Sequence, residues 1–167
     1  MADIVDLIYA DHDWVRRQFF LLDVAASDAE LAAVWAPLAR RLDTHAEAEE
    51  QVFYPALLKR GRAGDPEDET EDAIGDHNKI RDAVSAAARH RVGTPDWFDA
   101  VGAARKENGE HLEEEEREAL PDFLKSSSPQ LRHDLAMQWL AFYAAHPARS
   151  GVEAEDKDPQ EYVAENS

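Results

Sequence analysis

The chain reads as an all-α protein: an up-down-up-down four-helix bundle with an additional C-terminal helix and a flexible acidic tail. Three observations predict this. Apolar residues recur at alternating spacings of three and four, the repeat of one helical face. Strand-like alternation is hard to find, and the 7 glycines and 8 prolines are few among 167 residues. Four periodic stretches of roughly 20 to 28 residues are joined by short connections, which favours antiparallel neighbours.

The first stretch carries Val5, Ile8, His12, Val15, Phe19 and Leu22 on one stripe. Ser27, with Glu30 three residues later, is a capping box that opens the second. Its stripe is Leu31, Trp35, Leu38, Leu42, His45, Glu49 and Val52. The run Gly61 to Pro66 breaks the chain, and the acids from Glu67 to Asp72 suit the positive end of a third helix. That helix presents Ile74, His77, Ile80, Val84 and Ala88. Thr94 as N-cap, with Pro95 behind it, opens a fourth through Phe98, Val101, Ala104, Asn108, His111 and Glu115. A fifth helix, about 129–146, starts at Ser128-Pro129 and ends before Pro147. We therefore expect a bundle domain over 1–147. Residues 148–167, with six acids and one lysine, read as the solvated tail.

Composition narrows the chemistry. At 44% hydrophobic and 32% charged residues the chain can bury a core. A formal charge of −18 repels phosphate backbones and anionic lipid, so neither nucleic acid nor membrane is expected as a partner. With no cysteine, any metal must be held by His, Asp, Glu or Tyr. The start, Met1-Ala2-Asp3-Ile4, has no basic and apolar leader, and no stretch is long and apolar enough to span a bilayer, so we expect a cytoplasmic protein.

Two repeats carry the chemistry. Asp11-His12-x-x-Val15-Arg16 returns as Asp76-His77-x-x-Ile80-Arg81, 65 residues on. His45-x-Glu47-x-Glu49-Glu50, then Pro55 and Leu58, returns 66 residues on as His111-x-Glu113-x-Glu115-Glu116, then Pro121 and Leu124. Two helical hairpins of one design, related by a pseudo-twofold axis, follow. A spacing of four puts His45 above Glu49, and His111 above Glu115, on the face that also holds the apolar stripe. All four helices thus send an imidazole into the seam and two add a carboxylate. Buried carboxylates need compensating charge, and a pair of metal ions supplies it. If Glu49 and Glu115 both bridge and each metal takes two histidines, a solvent-derived bridge leaves one octahedral position open on each. This donor mixture suits iron or manganese and leaves zinc or cobalt open.

These residues resemble the hemerythrin-like, HHE cation-binding family over roughly residues 3 to 125. The marks are Asp11-His12, the His45-x-x-x-Glu49 helix running into Phe53-Tyr54-Pro55, Asp76-His77, and the His111-x-x-x-Glu115 helix running into Leu120-Pro121. The resemblance implies two oxo- or hydroxo-bridged iron ions held by His12, His45, Glu49, His77, His111 and Glu115. The fifth histidine of oxygen-carrying hemerythrins is absent, Ala73 and Arg81 standing four residues either side of His77. That points away from simple reversible oxygen carriage. Glu50 and Glu116, on the flank, leave two roles open, added ligand or partner to a ligand. Tyr9 and Tyr54 are candidate donors near the open position, with ordinary packing the alternative. Asp11 and Asp76 are candidates to orient an imidazole of a neighbouring helix. Glu47, Glu113 and Glu114 are expected on the wet face.

The functional expectation is a non-haem di-iron protein that binds dioxygen, nitric oxide or hydrogen peroxide for sensing, storage or detoxification. Catalase-like peroxide disproportionation is its enzymatic variant. The alternative is an iron- or oxygen-responsive interaction module whose fold is stabilised by metal loading. The sequence leaves the oligomeric state open.

Overall fold

A computed structural model describes residues 1–62, 64–149, 152 and 155–167. The described residues form helices and connecting turns with no strand. Helix α1 spans Ile4–Val24, α2 Asp28–Ala48 and α3 Tyr54–Arg60. Then come α4 at Pro66–Ala88, α5 at Pro95–Arg117, α6 at Ala119–Ser126, α7 at Pro129–Ala145 and α8 at Pro159–Asn166. No helix among them is long and apolar enough to cross a membrane.

The caps explain the starts. Asp3, Ser27, Asp65, Thr94, Ser128 and Asp158 each accept a backbone N–H of the first turn they precede. Glu30 reaches back one residue further than the expected box, accepting the N–H of Ala26 rather than that of the cap Ser27, at 2.6 Å. Proline follows the cap in α4, α5, α7 and α8, where its missing N–H costs nothing.

Inside the rods proline acts differently. Pro55 has no N–H to give, and its ring crowds the carbonyl four residues back. The chain widens over Glu49–Phe53 into a π-helical turn that joins α2 to α3 as one rod. In the second hairpin the helix breaks ahead of Pro121 at Glu118, whose φ of −120° and ψ of −73° separate α5 from α6.

Four rods pack in a closed square: α1 on α2, α2 on α4, α4 on α5, and α5 back on α1. Helix α7 lies against α1 and α2, and α8 against α3 and α4. The apolar core falls into two clusters. One gathers Ile8, Phe53, Tyr54, Ile74, Leu120 and Phe123; the other gathers Val15, Leu38, Leu42, Ile80, Trp97 and Val101. The stripe histidines occupy the layer between them, since His12 follows Ile8 and precedes Val15, and His77 sits between Ile74 and Ile80.

Some stripe positions shift. Trp97 is buried against Trp35, leaving Phe98 49% exposed, and Ala87 faces inward in place of Ala88. A larger correction concerns the tail. Residues 159–166 form α8, with Tyr162 and Val163 in the first core cluster. Acidic composition concealed two apolar residues one step apart, and these suffice to dock a capped single turn or two on an existing groove.

Candidate metal centre

The six seam residues converge in the interior. His12 comes from α1, His45 from α2, Glu49 from the π-turn, His77 from α4, and His111 and Glu115 from α5; all are buried. Their donor atoms form two sets that share Glu49: His12, His45, Glu49 and Glu115, and Glu49, His77 and His111, with all ligand atoms of a set within 4.8 Å of one another.

The spacings match coordination. Two donors at right angles, each about 2.1 Å from one ion, lie about 3.0 Å apart. In the first set His45 Nε2 is 2.9 Å and His12 Nε2 3.9 Å from Glu49 Oε1, and His12 Nε2 is 3.2 Å from Glu115 Oε2. In the second, His77 Nε2 is 3.1 Å from His111 Nε2 and 3.2 Å from Glu49 Oε2, which lies 3.8 Å from His111 Nε2. Glu49 therefore turns one oxygen to each set. Proximity is not hydrogen bonding here: His12 Nε2, His45 Nε2, both Glu49 oxygens and Glu115 Oε2 are buried without a hydrogen-bond partner. Such atoms are costly unless a cation meets them, and a pair of metal ions fits all five. Glu115 departs from the expected double bridge, because its Oε1 accepts the Tyr54 hydroxyl at 3.1 Å and only Oε2 faces the centre.

Three of the other ring nitrogens are held from outside. His12 Nδ1 is 2.8 Å from Glu116 Oε1, His77 Nδ1 2.7 Å from Glu50 Oε1, and His45 Nδ1 3.3 Å from Asp11 Oδ2. A carboxylate at Nδ1 makes that nitrogen the N–H donor and leaves the Nε2 lone pair facing inward. The carboxylates are fixed in turn. Arg16 donates to Glu116 at 2.8 Å, Arg81 to both oxygens of Glu50 at 2.8 Å, and Asp11 receives Arg41 and the Tyr143 hydroxyl. The two hairpins interlock: the His and Arg of each Asp-His-x-x-x-Arg motif grip the last Glu of the other hairpin's His-x-x-x-Glu-Glu motif.

A family model, the hemerythrin HHE cation-binding domain, matches residues 3–123. The chain belongs to the hemerythrin HHE cation-binding family. Searches of curated proteins and of solved structures each returned no match. The hemerythrin match ends before α7 and α8, so the helices that cover the outside of the centre lie beyond the family's span.

Within this hemerythrin-like bundle, burial works against charge on the imidazoles, but the carboxylates outweigh it. Glu115, Glu116 and Glu49 hold the pKa of His12 well above the ordinary value, and Glu49 and Asp11 raise His45 to about 9. Burial would raise Glu50, yet His77, Arg81 and Lys157 bring it to about 2. The His12 contact, aided by Arg16, brings Glu116 to about 2 as well. Glu49 is likewise held well below its usual range by the surrounding histidines, against its burial. His12, His45 and His77 thus hold their protons against these carboxylates in the metal-free chain, and a metal ion would have to displace them.

Several sequence expectations resolve here. Glu50 and Glu116 partner the seam histidines His77 and His12 and lie outside both candidate donor sets. The π-turn carries Glu50 inward, where an ideal helix would leave it on the flank. Asp11 orients His45 as anticipated, whereas Asp76 pairs with Lys79 at 2.8 Å. Tyr54 reaches Glu115, while Tyr9 stays 37% exposed with its ring edge-on to His12. Glu113 and Glu114 are exposed as expected, but Glu47 is buried, bonded to Lys157 and near Arg81. It faces outward from the seam, and the tail covers it. Arg16 and Arg81 were legible only as members of a repeat; their grip on the opposite hairpin is a tertiary fact.

Where the missing fifth histidine would stand, four residues before His77, Ala73 leaves space. A pocket of about 30 Å³ opens there, lined by Ala73, Asp76, His111, Glu115 and Tyr54. That is room for about two water-sized molecules. The repeat-related position is Ile8, which is fully buried, and that side of the centre is closed by Trp139, whose ring centroid is 5.7 Å from that of His45.

Proposed function

We propose that the bundle holds two non-haem iron ions through His12, His45, Glu49, His77, His111 and Glu115, and binds a small oxygen-containing molecule beside them. The observation that carries this reading is Glu49, whose two oxygens each face a separate pair of imidazoles at coordination spacing. Mixed imidazole and carboxylate donors suit iron. Iron so held supplies an open coordination position and a two-electron couple.

The chain's own groups support ligand entry on one side. The Ala73 pocket reaches His111 and Glu115 and is sized for dioxygen, nitric oxide or peroxide rather than an organic substrate. Tyr54 lines it with a hydroxyl whose pKa burial and Glu115 push well up, so its proton stays in place as a donor. Glu115 Oε1 accepts that proton's hydrogen bond, which fixes the phenol at the pocket wall.

The test is metal content together with an optical spectrum before and after azide. About two irons per chain, with visible bands that move on azide addition, is the expected result. Protein that takes up no iron, or a spectrum indifferent to azide, overturns the reading. Steady oxygen evolution from added peroxide assigns catalase-like turnover; stoichiometric bleaching assigns a binder.

A further inference from the structure

The two hairpins hold their imidazoles with the same device, but only one copy is covered. Glu116, which grips His12, has a side chain 24% exposed, and Arg16 beside it is 43% exposed. Glu50, which grips His77, is sealed by the C-terminal segment. Lys157 Nζ contacts Glu50 Oε2 and lies 2.8 Å from Glu47 Oε2. The Tyr162 hydroxyl donates to the backbone carbonyl of Glu50. Asn78, next to His77, clasps Lys157 from both sides, its amide donating to the Lys157 carbonyl at 2.7 Å and its oxygen accepting the Lys157 N–H at 3.0 Å. Tyr162 and Val163 are buried in the core cluster below.

The Lys157 ammonium and the Tyr162 hydroxyl both reach Glu50, and the Lys157 backbone is held by Asn78 beside His77. Glu50 Oε1 is bonded to His77 Nδ1 and Oε2 meets Lys157, so the carboxylate transmits the position of the segment to one imidazole. Lys157 also offsets two buried glutamates, 47 and 50, adding a second full cation to the Arg81 that both face. Among the described residues the counterpart glutamate on the other hairpin has no such cover, so the asymmetry falls on one of the two donor sets.

We propose that residues 155–167 are a strap that retains metal at the His77–His111 position. Lys157 and Tyr162 are its positioning residues, acting through Glu50. The inference rests on the metal reading above. Coupling is reciprocal at equilibrium: if the docked strap raises the affinity for metal, bound metal strengthens docking by the same factor. The strap's accessibility therefore reports occupancy of that position.

The experiment loads the full chain with ferrous iron without oxygen and follows its transfer to an excess of coloured ferrous chelator. Wild-type protein should release both irons slowly. Lys157→Ala should release half of the iron at least tenfold faster and the rest at the wild-type rate, Lys157→Arg should restore slow release, and Tyr162→Phe should fall between. Lys106→Ala, on a distant surface, is the control. Hydrogen exchange of residues 155–167 should rise at least tenfold when wild-type protein is stripped of iron. Unchanged release in both strap variants, acceleration of both irons equally, or exchange indifferent to iron overturns the strap. Wild-type protein that takes up no iron overturns the metal reading itself and the strap with it, whereas normal uptake with unchanged release overturns the strap alone.

Discussion

Glu116 Oε1 lies 2.8 Å from His12 Nδ1, an inter-hairpin contact that fixes which nitrogen of that ring faces the centre. Its repeat-related twin joins Glu50 to His77 at 2.7 Å. Removing such an outer partner frees the ring to rotate and to swap tautomers, at a cost of about 10- to 100-fold in metal affinity. Glu116→Ala is therefore expected to weaken iron binding by that range while leaving the helical content unchanged, measured by chelator competition and circular dichroism.

The sharing of Glu49 separates two variants that sequence alone treats alike. Glu49→Ala deletes a donor from both sets and is expected to bring bound iron below one per chain. Glu115→Ala leaves the Glu49, His77 and His111 set complete and should retain about one. Glu47→Ala, outside both sets, should retain two. Elemental analysis of the purified variants decides this.

Filling the pocket should slow ligands without disturbing the metal. Ala73→Leu replaces the small side chain that opens the cleft beside His111. The expected outcome is azide association slowed at least tenfold at unchanged iron content, read by stopped-flow absorbance. An unchanged rate would place the entry route elsewhere.

Acidity acts oppositely on the two forms. In metal-free protein His45 is raised to about 9 from an unfolded value of about 6.5. It binds its proton more tightly when folded. The stabilisation is present in full below about 6.5 and is lost as pH rises toward 9, at most about 3 kcal/mol. Metal-free protein should therefore melt at lower temperature at pH 9 than at pH 6.5. The iron-loaded form needs neutral imidazoles and should instead lose metal and stability as pH drops below about 6 to 5. Thermal melts of both forms across this range test the crossing.

The helices and the candidate donor residues are legible in local spacing. Caps at Ser27, Thr94 and Ser128, and stripes spaced by three and four, are local properties, written wherever a helix begins or turns one face inward. The repeat of His-x-x-x-Glu and Asp-His placed the same residues at one depth in every rod, because equal spacing from equivalent starts gives equal height. Tertiary structure decided how those residues divide the work. That Glu49 serves both sets while Glu115 gives an oxygen to Tyr54 depends on the widened turn ahead of Pro55, which a uniform helical projection does not contain. That His77 and Arg81 grip Glu50, and that Glu47 is buried, depends on chain segments far apart in sequence meeting across the bundle. Composition marked residues 148–167 as too polar to pack, yet Lys157, Tyr162 and Val163 find charges and an apolar groove already built by other helices. Burial of that kind belongs to the surface a segment meets, and no pattern within the segment encodes it.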